Sequence, residues 1–141
     1  MDKQKELANL IFPSIDKTIE YYKKLYPERK LDSDAYVTRF APSPTGFMHL
    51  GGFYQALINY SMAKNSNGVF FLRNEDTDQK REVKDAVNLI MTTLKHYDIV
   101  PDEYEYEGNI IGEYGPYIQS ERKDIYHTFI KCSIFNVAIN F

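Results

Sequence analysis

His49, Gly51 and Gly52 stand together where a predicted strand and loop give way to a predicted helix. A helix N-terminus exposes unpaired N–H groups and about half a positive charge, which makes it a natural seat for phosphate. Glycines there let a flat ring or a phosphate come close to the backbone, and a histidine just ahead of them can donate to a phosphate oxygen. The preceding loop reads Ala41-Pro42-Ser43-Pro44-Thr45-Gly46. A second stretch is Asn74-Glu75-Asp76-Thr77-Asp78, with three carboxylates in five residues, which could serve a metal ion. Each feature also has a plainer reading. A histidine before a helix is commonly a cap, and a Gly-Gly pair is commonly a turn. An acidic loop commonly caps the next helix, here through Asp78. That loop lacks the spacing and the closing ligand of a calcium site.

These residues are positioned by alternating strand and helix. Tyr36–Phe40 is a short β-rich run. The two prolines that follow forbid helix and favour an extended, turned loop. A helix is predicted from Gly51 to Asn65, with Phe53, Ala56, Leu57 and Tyr60 on one stripe. Asn67-Gly68 closes it, and Val69–Arg73 is the next strand. After Asp78 a long helix is predicted, carrying Val83, Val87, Ile90, Leu94 and Tyr97 on one face. This βαβα order implies a doubly wound parallel sheet. Ligands bind such sheets beyond the carboxyl ends of the strands, which is where both loops lie. Residues 98–118 read as loop with a possible strand inside Glu103–Glu107, and a last helix runs from Glu121 to Lys131.

Residues 1–34 read as a helical N-terminal extension that clasps the main domain rather than as a separate binding arm. Leu7, Leu10 and Ile11 form one stripe and Ile15, Ile19, Tyr22 and Tyr26 another, split by Pro13-Ser14 with Ser14 as the cap. At the other end, the stretch Cys132–Phe141 carries no charge. There Phe135, Val137, Ile139 and Phe141 alternate with Asn136, Ala138 and Asn140, a strand pattern. The tyrosines Tyr104, Tyr106, Tyr114 and Tyr117 read as packing over the sheet end rather than as a base-stacking platform.

A length of 141 residues allows one ordinary domain, able to bury roughly 70% of its unfolded surface. With 43% hydrophobic and 26% charged residues, the chain is not of the disordered class. Lys+Arg 17 against Asp+Glu 20 leaves a net −3, so no overall basic field gathers a polynucleotide. A local patch would have to do so, and Lys80, Arg81 and Lys84 with Arg122 and Lys123 are candidates, against the plainer reading of solvated helix faces. Cys132 is the single cysteine, which excludes an internal disulfide and any multi-cysteine metal site and suits a reducing cytoplasm. No apolar run approaches the length of a membrane span, and the start MDKQKE is not a signal peptide.

Taken together, the two loops are far more specific than either alone. The string from Arg39 through Phe40, Ala41, Pro42, Ser43, Pro44, Thr45, Gly46, Phe47, Met48, His49, Leu50 and Gly51 to Gly52 resembles the first signature of class I aminoacyl-tRNA synthetases. It is similar to the glutamyl-tRNA synthetase version, with the His-Ile-Gly-His tetrad written His-Leu-Gly-Gly. Leu72–Asp78 resembles that family's second block, and Gly115–Arg122 resembles a third. The three matches are in order and span Tyr36 to Lys131. The related glutaminyl enzymes differ in both loops.

The resemblance implies an α/β fold, the first half of a Rossmann-like catalytic domain over residues 35–131. It implies ATP-dependent activation of L-glutamate to glutamyl-adenylate and transfer to tRNA(Glu) in the cytoplasm. ATP enters as a substrate with Mg2+, with no protein-ligated metal and no membrane partner, and the oligomeric state is left open. By the family pattern, His49 and Thr45 face the ATP phosphates as the catalytic pair, and Gly51 and Gly52 complete the ATP seat. Arg39 grips the substrate's side-chain carboxylate, Glu75 receives its α-ammonium, and Ala41 and Ser43 complete the glutamate pocket. Asn74 departs from the pattern, since that position is usually aliphatic. The family's lysine-bearing second loop, a later arginine, the acceptor-stem insertion and the anticodon-binding domain have no counterpart here, and the likeness stops after Lys131. The expectation is therefore an incomplete N-terminal segment, inactive alone, with residues 132–141 a truncated end or a substitute strand. Two alternatives stand beside it: a fragment of the shortened paralogue that glutamylates the queuosine base of tRNA, and a non-catalytic remnant that binds ATP or glutamate.

Overall fold

The computed structural model describes residues 3–78, 80, 83 and 85–137. Its elements run α1 (Lys3–Ile11), α2 (Ile19–Leu25), β1 (Val37–Phe40), α3 (Leu50–Asn65), β2 (Val69–Leu72), α4 (Ala86–His96), β3 (Tyr104–Tyr106) and β4 (Asn109–Ile111). A 3-10 turn (Gln119–Arg122) and α5 (Lys123–Val137) follow. Two compact units result, one built on α1, α2 and α5 and the other on residues Lys30–Glu121.

In the second unit β1 and β2 pair in parallel, Val37 opposite Val69 and Phe40 opposite Leu72. That is the crossover the strand–helix–strand order requires. Along β1, Thr38 and Phe40 are buried while Val37 and Arg39 are exposed, the period of two that puts alternate side chains on opposite sheet faces. Helix α3 buries Ala56 and Ala63, small residues that let the helix lie close to the strands. The core joins Phe40, Phe70 and Leu72 of the strands to Ile90, Met91 and Leu94 of α4, each buried side chain contributing roughly 1.5–3 kcal/mol. The turn between α3 and β2 requires glycine. A Cβ on Gly68 would lie 1.9 Å from the Tyr36 carbonyl oxygen, the atom that accepts the Val69 N–H at 2.9 Å and starts the sheet.

Two elements of this unit differ from the sequence expectation. Helix α4 begins at Ala86, so Asp78 does not cap it; Asp85 stands at its start with φ 66° and no side-chain cap bond. Val83 lies outside the helix and exposed, its N–H donating to Pro44 O at 2.9 Å. A tie to the first loop has replaced the helical turn. The possible strand inside Glu103–Glu107 is present as β3, and the loop expected around it adds β4 antiparallel to it, making a hairpin. Its turn residues Glu107 and Gly108 have φ 51° and 74°, the left-handed pair that closes a two-residue hairpin. Tyr117 is buried, donates to Glu103 Oε2 at 2.8 Å and accepts the Tyr114 N–H at 3.0 Å. Tyr104 and Tyr106 pack on the core, so these two and the buried Tyr117 pack as expected.

In the first unit α1 and α2 both pack on α5. The cap of α2 is Thr18, whose Oγ1 accepts the Tyr21 N–H at 3.2 Å. Ser14 does not serve, and Ile15 lies before the helix. Lys131 Nζ donates to Phe12 O at 3.1 Å and to Ile15 O at 2.8 Å, pinning the link between α1 and α2. Helix α5 runs to Val137, so the strand reading of Cys132–Phe141 is corrected as far as Val137. The rest of that stretch lies outside the described residues. No glycine or proline follows Pro116, so nothing interrupts the helix, and its ladder overrides a local alternation. Among the described residues no helix is long and apolar enough to cross a membrane.

Candidate nucleotide and amino-acid site

Helix α3 starts on His49, whose backbone is extended (φ −79°, ψ 165°) and whose Nδ1 accepts the Gly52 N–H at 3.2 Å. The capping role is therefore real, and it has a chemical consequence. A neutral imidazole that accepts at Nδ1 carries its proton on Nε2, so the exposed ring is left with one outward donor. Gly51 sets where that ring lies. A Cβ at Gly51 would stand 3.1 Å from His49 Nδ1 and 3.2 Å from Cε1, tight enough that the ring would have to give by a few tenths of an ångström.

A cleft of about 270 Å³ opens at the carboxyl end of β1 beside this helix start, and Ala41, Ser43, Thr45, His49 and Gly52 line it. Phe40, Met48 and Ile90 give it an apolar wall, and Gln55, one turn along α3, adds an amide. Arg39, Gly51 and Glu75 are not in its lining. Arg39 points from the sheet face opposite to Phe40, and its partner across the parallel pairing is Phe71. Alternation carries that face on to Arg73 and Glu75. There Arg73 Nη2 donates to Glu75 Oε1 at 3.1 Å. The eight residues given roles from the sequence thus divide. Five share the cleft, Arg39 and Glu75 lie outside it, and Gly51 lies close against the His49 ring; Pro42, Gly46, Phe47 and Met48 of the signature string also line the cleft.

The three sequence blocks lie side by side, joined largely through the backbone. Arg73 N–H donates to Phe40 O at 3.0 Å and Glu75 N–H to Pro42 O at 2.9 Å, which ties the second block to the first. Asn74 N–H donates to Tyr117 O at 2.8 Å and Gln119 N–H to Asn74 O at 2.9 Å, which ties it to the third. Asp76 completes the seam: its carboxylate accepts the Ser120 N–H at 2.9 Å and the Ser120 hydroxyl. Burial first, then the Glu105 and Asp76 carboxylates, push the Glu121 carboxyl above its usual range. Asn74 is buried and its Oδ1 has no partner among the described residues, a deficit of about 1–3 kcal/mol.

Reasoning from the sequence missed Arg73, Gln55 and Ser120. The spacing of Arg73 and Glu75, two apart at a strand end, was the available signal for the first. Of the candidate basic patch, Lys80 and Lys123 are exposed and the Arg122 guanidinium lies 5.9 Å from the Tyr26 ring centre. Arg81 and Lys84 lie outside the described residues. Among the described residues no group of three or more His, Cys, Asp or Glu side chains could hold a metal ion.

A model of the family described as tRNA synthetases class I (E and Q), catalytic domain, matches residues 35–136, which carries the likeness past Lys131 into α5. The glutamate–tRNA ligase of Clostridium perfringens (strain 13 / Type A) is 52% identical over 126 residues, 89% of this chain and 23% of its own. That of Acetivibrio thermocellus is 48% identical over 128 residues, 90% of this chain and 23% of its own. A crystal structure of a glutamate tRNA ligase from Elizabethkingia meningosepticum, in complex with its amino acid, superposes with a TM-score of 0.62 at 48% identity, covering 70% of this chain and 19% of that one. The chain spans about a quarter of the length of these curated relatives, at their N-terminal part. With a parallel pair, its crossover helix and the three blocks in place, the fold is the N-terminal, Rossmann-like part of a class I synthetase catalytic domain. The chain belongs to the class I tRNA synthetase family that comprises the glutamyl and glutaminyl enzymes, on the side of the glutamate–tRNA ligases.

Proposed function

We propose that this chain supplies the ATP- and glutamate-facing part of a glutamate–tRNA ligase, which activates L-glutamate as glutamyl-adenylate and passes it to tRNA(Glu). In the first step the α-carboxylate of glutamate attacks the α-phosphate of ATP and pyrophosphate leaves. No covalent enzyme intermediate is needed, so the protein contributes position and charge stabilisation. His49 carries this reading: its Nδ1 is held by Gly52 N–H at 3.2 Å in the cleft wall, leaving Nε2–H to meet a phosphate oxygen. Thr45 offers a hydroxyl in the same cleft, and the first turn of α3 offers backbone N–H groups. Gly51 and Gly52 leave the helix start open to the adenosine.

The amino acid is received on the other sheet face. Arg39 suits the side-chain carboxylate with its guanidinium fork. Glu75 has one oxygen held by Arg73 and the other open to the α-ammonium. Ser43 and Ala41 complete the pocket where the loop joins the two faces. Mg2+ enters with ATP as part of the substrate. The setting is the cytoplasm, which a sequence with one cysteine, Cys132, suits.

Calorimetry with Mg–ATP on the chain and on His49→Asn tests the nucleotide end. Asparagine keeps the cap acceptor but lacks the Nε2 donor, so ATP affinity should fall about tenfold with the melting midpoint nearly unchanged. Equal ATP affinity in the two proteins would contradict the role given to His49.

A further inference from the structure

We infer that Arg73 is the positioning residue of the amino-acid site: it holds Glu75 so that the second carboxylate oxygen is presented to a substrate ammonium. The inference rests on the proposed role of Glu75 and extends it to a residue that the signature loops did not single out. Arg73 Nη2 donates to Glu75 Oε1 at 3.1 Å, and the two side chains keep 16% and 31% of their exposure. The guanidinium is thus the deeper partner and the carboxylate the one that reaches solvent. Arg73 Nε is buried with no hydrogen-bond partner among the described residues, so the bond to Glu75 is the contact that compensates a largely desolvated charge. A largely desolvated cation whose recorded ion-pair partner is one carboxylate favours keeping that carboxylate in place, because losing it would leave the charge poorly compensated.

The backbone makes the geometry stiff. Arg73 N–H is bonded to Phe40 O, Asn74 N–H to Tyr117 O and Glu75 N–H to Pro42 O, so all three residues are anchored, two of them to β1 and its loop. These bonds hold the main chain from which both side chains spring, and the Arg73–Glu75 bond is what orients the side chains themselves. A carboxylate has lone pairs on both oxygens; with Oε1 committed to Arg73, Oε2 is the free acceptor, and its direction is set by Arg73. The chemistry this fits is a primary ammonium next to a carboxylate, the α-end of an amino acid, approached from the face that also carries Arg39.

The test is the preference for L-glutamate over glutarate, which has both carboxylates and no ammonium, measured by calorimetry on the whole chain. The unsubstituted chain should prefer L-glutamate by about tenfold, the worth of one charge-assisted hydrogen bond, and Glu75→Ala should abolish that preference. Arg73→Gln should abolish it too while leaving glutarate binding within about twofold. Arg73→Lys, which keeps the charge but not the fork, should restore part of it. A purely structural role would weaken both ligands alike. Retained preference in Arg73→Gln, with loss in Glu75→Ala, would overturn the role of Arg73 alone. No preference in the unsubstituted chain, or retained preference in Glu75→Ala, would overturn the reading of Glu75 and this inference with it. If Arg73→Gln lacks a native circular dichroism spectrum, the lysine variant decides: an unchanged preference there overturns the inference, and a reduced one supports it.

Discussion

His49 and Gly52 share one hydrogen bond, ring Nδ1 to backbone N–H at 3.2 Å, which both caps α3 and selects the imidazole tautomer. Stability and nucleotide binding therefore meet at this residue and can be separated by substitution. His49→Ala should lose about 1 kcal/mol of stability with the cap and also lose nucleotide affinity. His49→Asn should lose the affinity alone. Paired thermal melts and titrations with Mg–ATP check this.

Gly51 and Gly68 should respond oppositely to alanine. At Gly51 the new methyl meets the His49 ring at 3.1–3.2 Å, so the ring shifts, and ATP binding should fall several-fold with little loss of stability. At Gly68 it meets backbone 1.9 Å away, which nothing relieves without parting β1 from β2. Gly68→Ala should cost about 3 kcal/mol or more. Urea unfolding of both variants measures the contrast.

Asn74→Ile should stabilise the protein by about 1 kcal/mol, because an acceptor buried without a partner is replaced by an apolar side chain suited to extended backbone. Asp76→Ala should act the other way, by about 1–3 kcal/mol, since it strands both Ser120 donors. Chemical denaturation of the two variants gives both signs.

Glu121 is pushed upward by burial and by the Glu105 and Asp76 carboxylates. With its folded value raised, its favourable contribution is present below the ordinary glutamate range and is lost as pH rises through the folded value. Glu121→Gln stays neutral throughout. It should melt higher than the parent at pH 7, and the gap should close at about pH 3.5. Melting curves at the two pH values check the sign.

The part of the site that was legible in the sequence is the part made by local rules. Two prolines forced the loop before His49, alternation gave Val37–Phe40 its faces, and the glycine positions marked the helix start. What stayed hidden depends on bonds across the sequence. Val83 is drawn out of its helical stripe by the Pro44 carbonyl, and the hairpin closes on Glu107-Gly108 without the usual Asn-Gly or Asp-Gly signal. The alternation of Phe135 to Val137 suggests a strand, yet α5 simply continues through it. Arg73 was overlooked because its importance lies in a contact with Glu75, which residue types alone do not display.

The most direct test is a chimera in which residues 35–131 of this chain replace the matching segment of the Clostridium perfringens glutamate–tRNA ligase, which is 52% identical to this chain over 126 residues. Glutamate-dependent exchange of pyrophosphate into ATP is then measured in the presence of tRNA(Glu). If the segment faces ATP and glutamate as proposed, the chimera should keep exchange within about tenfold of its parent, and His49→Ala in the chimera should reduce it by about a hundredfold or more. A folded, soluble chimera without exchange, or one whose exchange is indifferent to His49→Ala, would contradict it.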